Sequence, residues 1–261
     1  MAREGSAGAR DAPEDNPYAL PSGGAGRRRL RRTARLVGGL AAAAALASVL
    51  AVLFWRFAPP PLSGVMAERW LDARRDGRPW RLEYQWVPRR GIARSLPLAV
   101  IAAEDQRFFR HRGWDTDAIR DALAEAREGG RRRGASTISQ QVAKNLFLWS
   151  GRSWLRKGLE TWYTFWIELL WPKERILEMY LNLAEWDEGV FGVGAACRVH
   201  YGATPDRLDR ARAARLAAVL PSPLRMDAGR PSAYVLKRQG QILDQMGRLE
   251  GSAFAAPLAA W

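Results

Sequence analysis

Glu104 and Asp105 are adjacent carboxylates at the end of an apolar run in Ala102–Gly113, AAEDQRFFRHRG, and Phe108, Phe109 and His111 follow them. A carboxylate placed where an apolar helix meets a cleft loses hydration, its pKa rises, and it becomes a usable general base near neutral pH. The bland alternative is a helix-surface acid paired with Arg107 or Arg110. Spacing alone favours that alternative, because charged helix residues are mostly solvated. His111 taken alone reads as a hydrogen-bonded structural histidine, and the chain's two histidines are too few for a histidine-based metal site.

A second stretch, Gly134–Asn145, reads GASTISQQVAKN. Gly134 and small residues open a helix whose first-turn N–H groups suit an anion. Ser136 and Thr137 offer hydroxyls, and Gln140, Gln141, Lys144 and Asn145 add polar groups over the next two turns. Gln141 and Lys144, three apart, share a face. An N-capped surface helix is the bland reading. A third stretch, Arg152–Glu160, reads RSWLRKGLE; Arg156 lies four and Lys157 three residues before Glu160. The cluster is either a helix ion pair of a few tenths of a kcal/mol or a cationic grip for a diphosphate, with arginine giving forked hydrogen bonds.

These groups need elements to hold them. Trp80–Val87, WRLEYQWV, alternates as a half-buried strand does. Pro97 suits a first helical turn, and the helix it opens meets no breaker until Gly113. Ser136–Phe147, Trp154–Trp171, Pro172–Glu185 and Pro205–Leu220 also read as helices. Ile176, Leu177, Tyr180, Leu181 and Ala184 form one apolar face of the third of these. The many aromatic residues of Trp154–Trp171 fit either a core or a surface dipping into a bilayer interface. One mostly α-helical domain over residues 80–261 is expected.

The chain has 261 residues and a formal charge of +14, which implies an acidic partner. Cys197 is the only cysteine, so thiolate metal cages and intrachain disulfides are excluded. Leu36–Trp55 holds no charge over twenty residues, the length a membrane-spanning helix needs and longer than the apolar part of a cleavable signal, about 7–15 residues. A transmembrane helix over 36–56 is therefore expected. The arginines between Arg27 and Arg35 keep the 1–35 tail, read as disordered, in the cytoplasm. A juxtamembrane connector over 57–79 then leads to a periplasmic domain, which makes nucleic acid an unsuitable partner.

Taken in order, EDQRFFRHRG, GASTISQQVAKN, RKGLE, KERILEMYLNLAEWDEGVFGVGAA and AAVLPSPLRMDAGRP resemble the five blocks of the peptidoglycan glycosyltransferases, glycosyltransferase family 51, over about Trp80–Pro231. With about thirty residues after Pro231, the resemblance is to the monofunctional, proteobacterial form. It implies a lysozyme-like, two-lobed helical fold anchored in the inner membrane. It also implies polymerisation of lipid II: a 4-hydroxyl attacks the anomeric carbon of a lipid-linked glycan with inversion, giving a β-1,4 linkage and releasing undecaprenyl diphosphate.

On that resemblance Glu104 is the general base, and Glu160 is the second catalytic glutamate, which orients Arg156 and Lys157 or helps to hold a divalent ion. Asp105 and His111 hold the first helix and its turn, and Phe108 lines the cleft. Ser136, Thr137, Gln140, Gln141, Lys144, Asn145, Arg152, Arg156 and Lys157 serve substrate binding. Magnesium or manganese suits a diphosphate and oxygen ligands, although the sequence requires neither. The implied partners are lipid II, the lipid-linked glycan and the membrane, with other cell-wall synthesis or division proteins as candidates. Ala135 and Ser139 depart from the commoner glycine and threonine, and Asp187 and Glu188 make one turn more acidic than usual. A glycan hydrolase on the same kind of fold and a non-enzymatic membrane scaffold are the rival readings, separated by motif order rather than by fold.

Overall fold

In the computed structural model, residues 24–127, 136–252 and 256–261 are described. The disordered tail expected over the first residues falls largely outside them, as do Gly134 and Ala135. The first helix, α1, runs from Gly24 to Trp55, taking in the arginine-rich flank as well as the apolar stretch. Its Arg29–Trp55 part is long and apolar enough to cross a bilayer, its most apolar window of 18 residues reaching a mean hydropathy of 2.4. Residues up to 47 form one unit, in which nearly every described side chain is exposed.

The second unit, residues 48–261, begins with the last two turns of α1. Val52 there is fully buried. The segment expected as a connector contains a helix, α2 (Gly64–Arg75). Ser63 caps it by accepting from the Met66 N–H at 3.2 Å, and it buries Val65, Met66 and Ala73. Next come β1 (Glu83–Tyr84), α3 (Ser95–Glu104), α4 (Thr116–Arg127), α5 (Ile138–Phe147), α6 (Trp154–Leu170) and α7 (Lys173–Leu183). They are followed by β2 (Glu185–Asp187), β3 (Val190–Phe191), α8 (Gly192–Tyr201), α9 (Arg210–Val219) and α10 (Ala233–Glu250).

The strand expected over Trp80–Val87 shrinks to two paired residues. Its parallel partner β3 offers only Val190 and Phe191, opposite Glu83 and Tyr84. Beyond them Val87 finds its backbone partners on a side chain instead: its N–H donates to Asn182 Oδ1 at 2.8 Å and its carbonyl accepts from Asn182 Nδ2 at 2.9 Å. The strand order is β1-β3-β2.

Helix α3 is buried on all sides from Leu96 to Ala102, the pattern of a helix at the centre of a bundle. It packs on α9 and α10, while α5 packs on α2, α6 and α7. The expected continuation of α3 towards Gly113 does not occur. Asp105 leaves helical geometry with φ −161° and ψ 76°, and a turn follows, closed by Gly113 at φ +89°. The expected Pro205–Leu220 helix is likewise divided. A short 3-10 turn ends at Arg207, and Asp209 caps α9 by accepting from the Arg212 N–H at 2.7 Å.

Candidate active site

Glu104 is the last residue of α3 and keeps part of its surface on a cleft of about 670 Å³. Ser136 and Gln141 line one side of this cleft, and Arg238, Gln245 and Arg248 of α10 another. The Glu104 Oε2 accepts from Gln141 Nε2 at 2.9 Å, and the Tyr180 hydroxyl donates to Gln141 Oε1 at 3.3 Å. Burial raises the Glu104 pKa above the ordinary carboxylate value and the Asp105 charge adds to the rise, while Gln141, Arg238 and Lys144 oppose it. The carboxylate is thus poised as a proton acceptor while cations still favour its ionised form.

Asp105 points elsewhere. Its two oxygens lie 2.9 and 3.0 Å from His111 Nε2, and Oδ2 also accepts from the Ile138 N–H at 3.0 Å. One buried carboxylate therefore ties the 105–113 turn to the first residue of α5. Phe108, expected on the cleft wall, is fully buried in the core, with Lys173 Nζ 4.4 Å from its ring centroid. The reason is the turn itself: once Asp105 breaks the helix, Phe108 is carried inward, towards the apolar side of the bundle.

Thr137 and Gln140 are also committed to the scaffold. Thr137 Oγ1 accepts from the Gln140 N–H, and Gln140 Oε1 accepts from the Thr137 N–H, a reciprocal cap of α5. The Thr137 hydroxyl donates to the Gly113 carbonyl at 2.7 Å. Ser136, just before the cap, is exposed on the cleft.

The second carboxylate, Glu160, is buried in α6. Arg156 Nη1 donates to its Oε2 at 2.5 Å, and Lys157 donates to its Oε1. The i, i+4 and i, i+3 spacing read from the sequence thus closes into one triad. Lys144, on α5, feels the charge of both carboxylates. Burial lowers its pKa, the charges of Glu160 and Glu104 raise it, and Arg156 and Arg69 lower it further. Asn145 is buried beside it in the chain, and Arg152 is exposed in the loop before α6.

The structure therefore brings Glu104, Ser136 and Gln141 together on the cleft, and Arg156, Lys157 and Glu160 together on α6, with Lys144 between. Sequence reasoning missed Arg238 and Tyr180, which act on Glu104 from α10 and, through Gln141, from α7. The apolar spacing Val235, Ile242, Met246, Leu249 was a signal for α10; nothing local marked Arg238 as the cation facing Glu104.

Magnesium or manganese fits this donor set poorly. Both Glu160 oxygens are already engaged by cations, and among the described residues no three His, Cys, Asp or Glu side chains come together as ligands.

The helical domain thus sets one carboxylate of raised pKa on a cleft, able to accept a proton, and a second, cation-clad carboxylate on α6. Residues 77–247 match the family model described as Transglycosylase, a span that runs past Pro231 and takes in nearly all of α10. The chain is 54% identical over 231 residues to the biosynthetic peptidoglycan transglycosylase of Pseudomonas putida (strain W619), covering 88% of this chain and 96% of that protein. It is 53% identical, with the same coverage, to the protein of that name in Pseudomonas entomophila (strain L48). The chain belongs to the transglycosylase family and is a glycosyltransferase.

Proposed function

We propose that this transglycosylase builds the glycan strands of the bacterial cell wall, transferring a growing lipid-linked glycan onto the 4-hydroxyl of lipid II. Glu104 takes the proton of the attacking hydroxyl as its oxygen bonds to the anomeric carbon. The bond from that carbon to the diphosphate breaks on the opposite face, so the centre inverts and undecaprenyl diphosphate leaves with the electron pair. Lys144, Arg156, Lys157 and Arg152 offset the charge that develops on the diphosphate. Glu160 holds Arg156 and Lys157 in place rather than touching the departing anion, which it would repel.

The observation that carries this reading is Glu104 at the end of α3, on the cleft and hydrogen-bonded by Gln141 of α5, while α6 gathers Arg156 and Lys157 on Glu160. The arginines preceding the apolar part of α1 support a cytoplasmic N-terminus, with the catalytic domain across the inner membrane. The test is incubation of the detergent-solubilised full chain with labelled lipid II, read by gel beside Glu104→Gln. Polymer from the unmodified protein and none from the variant is expected. Absence of polymer from both, with finished glycan shortened instead, would make the chain a hydrolase.

A further inference from the structure

A second cavity, of about 790 Å³, shares no lining residue with the Glu104 cleft. Arg110, Arg112 and Trp114 of the turn before α4 form one wall, and Phe165, Leu169 and Lys173 form another. Among the described residues that line it, the one carboxylate is Glu168, which is already engaged by Ser139 and by Lys173 at 2.8 Å. Arg112 is exposed and makes no ion pair among the described residues. The cavity is therefore positively charged at its mouth and apolar along one side.

Its location is set by Trp171, which also lines it and donates from Nε1 to the Val52 carbonyl at 2.8 Å. Val52 lies within the last turns of the apolar helix, so the cavity sits at the level where that helix ends. Leu155, Trp162, Phe165 and Leu169 run along the outer side of α6 as exposed apolar residues, from 38% exposure at Trp162 to 70% at Leu155. Trp162 donates to Ser48 Oγ of α1 at 3.0 Å, so this strip lies beside the same turns. Arginines beside a spanning helix suit the phosphate of an acidic lipid by forked hydrogen bonds, and an apolar strip leading to them suits acyl chains. A soluble acidic peptide would use the charge and leave the strip uncovered.

We infer that this cavity binds the headgroup of an anionic phospholipid, with its phosphodiester between Arg110 and Arg112 and its acyl chains along Phe165 and Leu169. The inference rests on the membrane-anchor part of the proposed function and not on the polymerisation reaction.

The test is native mass spectrometry of the full chain released from nanodiscs made of equal parts phosphatidylglycerol and phosphatidylcholine, without lipid II. Phosphatidylglycerol should be retained in preference. Removal of each arginine, in Arg110→Ala and Arg112→Ala, should weaken retention about fivefold, in line with the contribution of one basic residue near an anionic surface. Leu169→Asp should reduce it further, while Arg207→Ala, an exposed arginine outside the cavity, should change nothing. Equal retention of the two lipids, or an Arg207→Ala loss as large as that of Arg112→Ala, overturns the site. Displacement of the lipid by glycerol phosphate at equal concentration overturns the lipid assignment, because the cavity would then be reading the phosphate alone. Because lipid II is absent, failure here is distinguishable from failure of the polymerase reading.

Discussion

Gln141 and Glu104 meet through one oriented hydrogen bond: the Tyr180 hydroxyl donates to the Gln141 carbonyl oxygen, which leaves the amide N–H₂ to face the Glu104 carboxylate at 2.9 Å. The ionised Glu104 carboxylate, which can only accept, requires the amide N–H₂ to face it, and the Tyr180 hydroxyl, enclosed in the core, meets the oxygen that this leaves on the other side. Gln141 is one of the influences that hold the Glu104 pKa down against burial. Gln141→Leu should therefore move the acid limb of the kcat/KM profile to higher pH. Tyr180→Phe should do so more weakly, with a stability loss of about 1 kcal/mol for the missing hydrogen bond. An unmoved acid limb in Gln141→Leu would show that Gln141 does not set the protonation of the base.

Arg238 acts on Glu104 from the opposite wall in the same direction. Arg238→Gln should also raise the pH at which activity appears, whereas the exposed Arg225→Gln should not. The pH profile separates this from mere loss of packing, which would lower kcat at every pH alike.

Glu104 itself should cost stability. Its folded-state pKa is raised by burial, so above the unfolded-state value the unfolded chain gives up its proton more readily and stability falls as pH rises through the folded pKa. Glu104→Gln should accordingly unfold at a higher temperature than the parent at neutral pH, with the difference vanishing in acid, where Glu104 is neutral in the folded and the unfolded chain alike. Thermal melts over a pH series measure this directly. A variant less stable at neutral pH would contradict the assignment.

The triad on α6 should be asymmetric. Arg156 is far less exposed than Lys157, at 11% against 43% of the side chain, and solvent weakens the exposed partner's contribution. Arg156→Met should destabilise by about 1–3 kcal/mol, the cost of stripping a charged hydrogen bond from a buried carboxylate, and Lys157→Met by clearly less. Chemical denaturation of the two variants tests the order.

Gly113 carries the turn that connects the two halves of the site. Its φ of +89° strains any other residue, and an added Cβ would stand 2.9 Å from Thr164 Cγ2. Its carbonyl also receives the Thr137 hydroxyl. Gly113→Ala should cost about 1–3 kcal/mol and lower kcat, because the α5 end that presents Ser136 and Gln141 is fastened there.

Much of this site was legible before any coordinates. The spacing of Arg156, Lys157 and Glu160 fixes their convergence once they are on a helix, and α5 to α7 begin and end within about two residues of where their patterns do. Phe108 was misplaced because the helix-breaking backbone of Asp105 has no signature in residue type. Arg238 was invisible because it lies 134 residues from Glu104 and its role depends on how α10 packs against α3. The short helix α8, opening Gly192-Val193-Gly194, has weak intrinsic propensity and depends on its neighbours: a Cβ on Gly192 would lie 2.7 Å from the Asn182 carbonyl oxygen.

Arg175 donates to the carbonyls of Trp55 and Ala58, at 2.9 and 2.6 Å, and Trp171 donates to that of Val52. The final turns of the apolar helix are thereby a keystone of the enzyme and not a detachable handle. Cutting the chain at Arg56 to make it soluble would pull a plug from the folded body, taking away the acceptor of the buried Trp171 indole and one of the acceptors of Arg175, which keeps Ala58 and Glu178. From Ser48 to Ala58, anchoring and folding are written in the same residues.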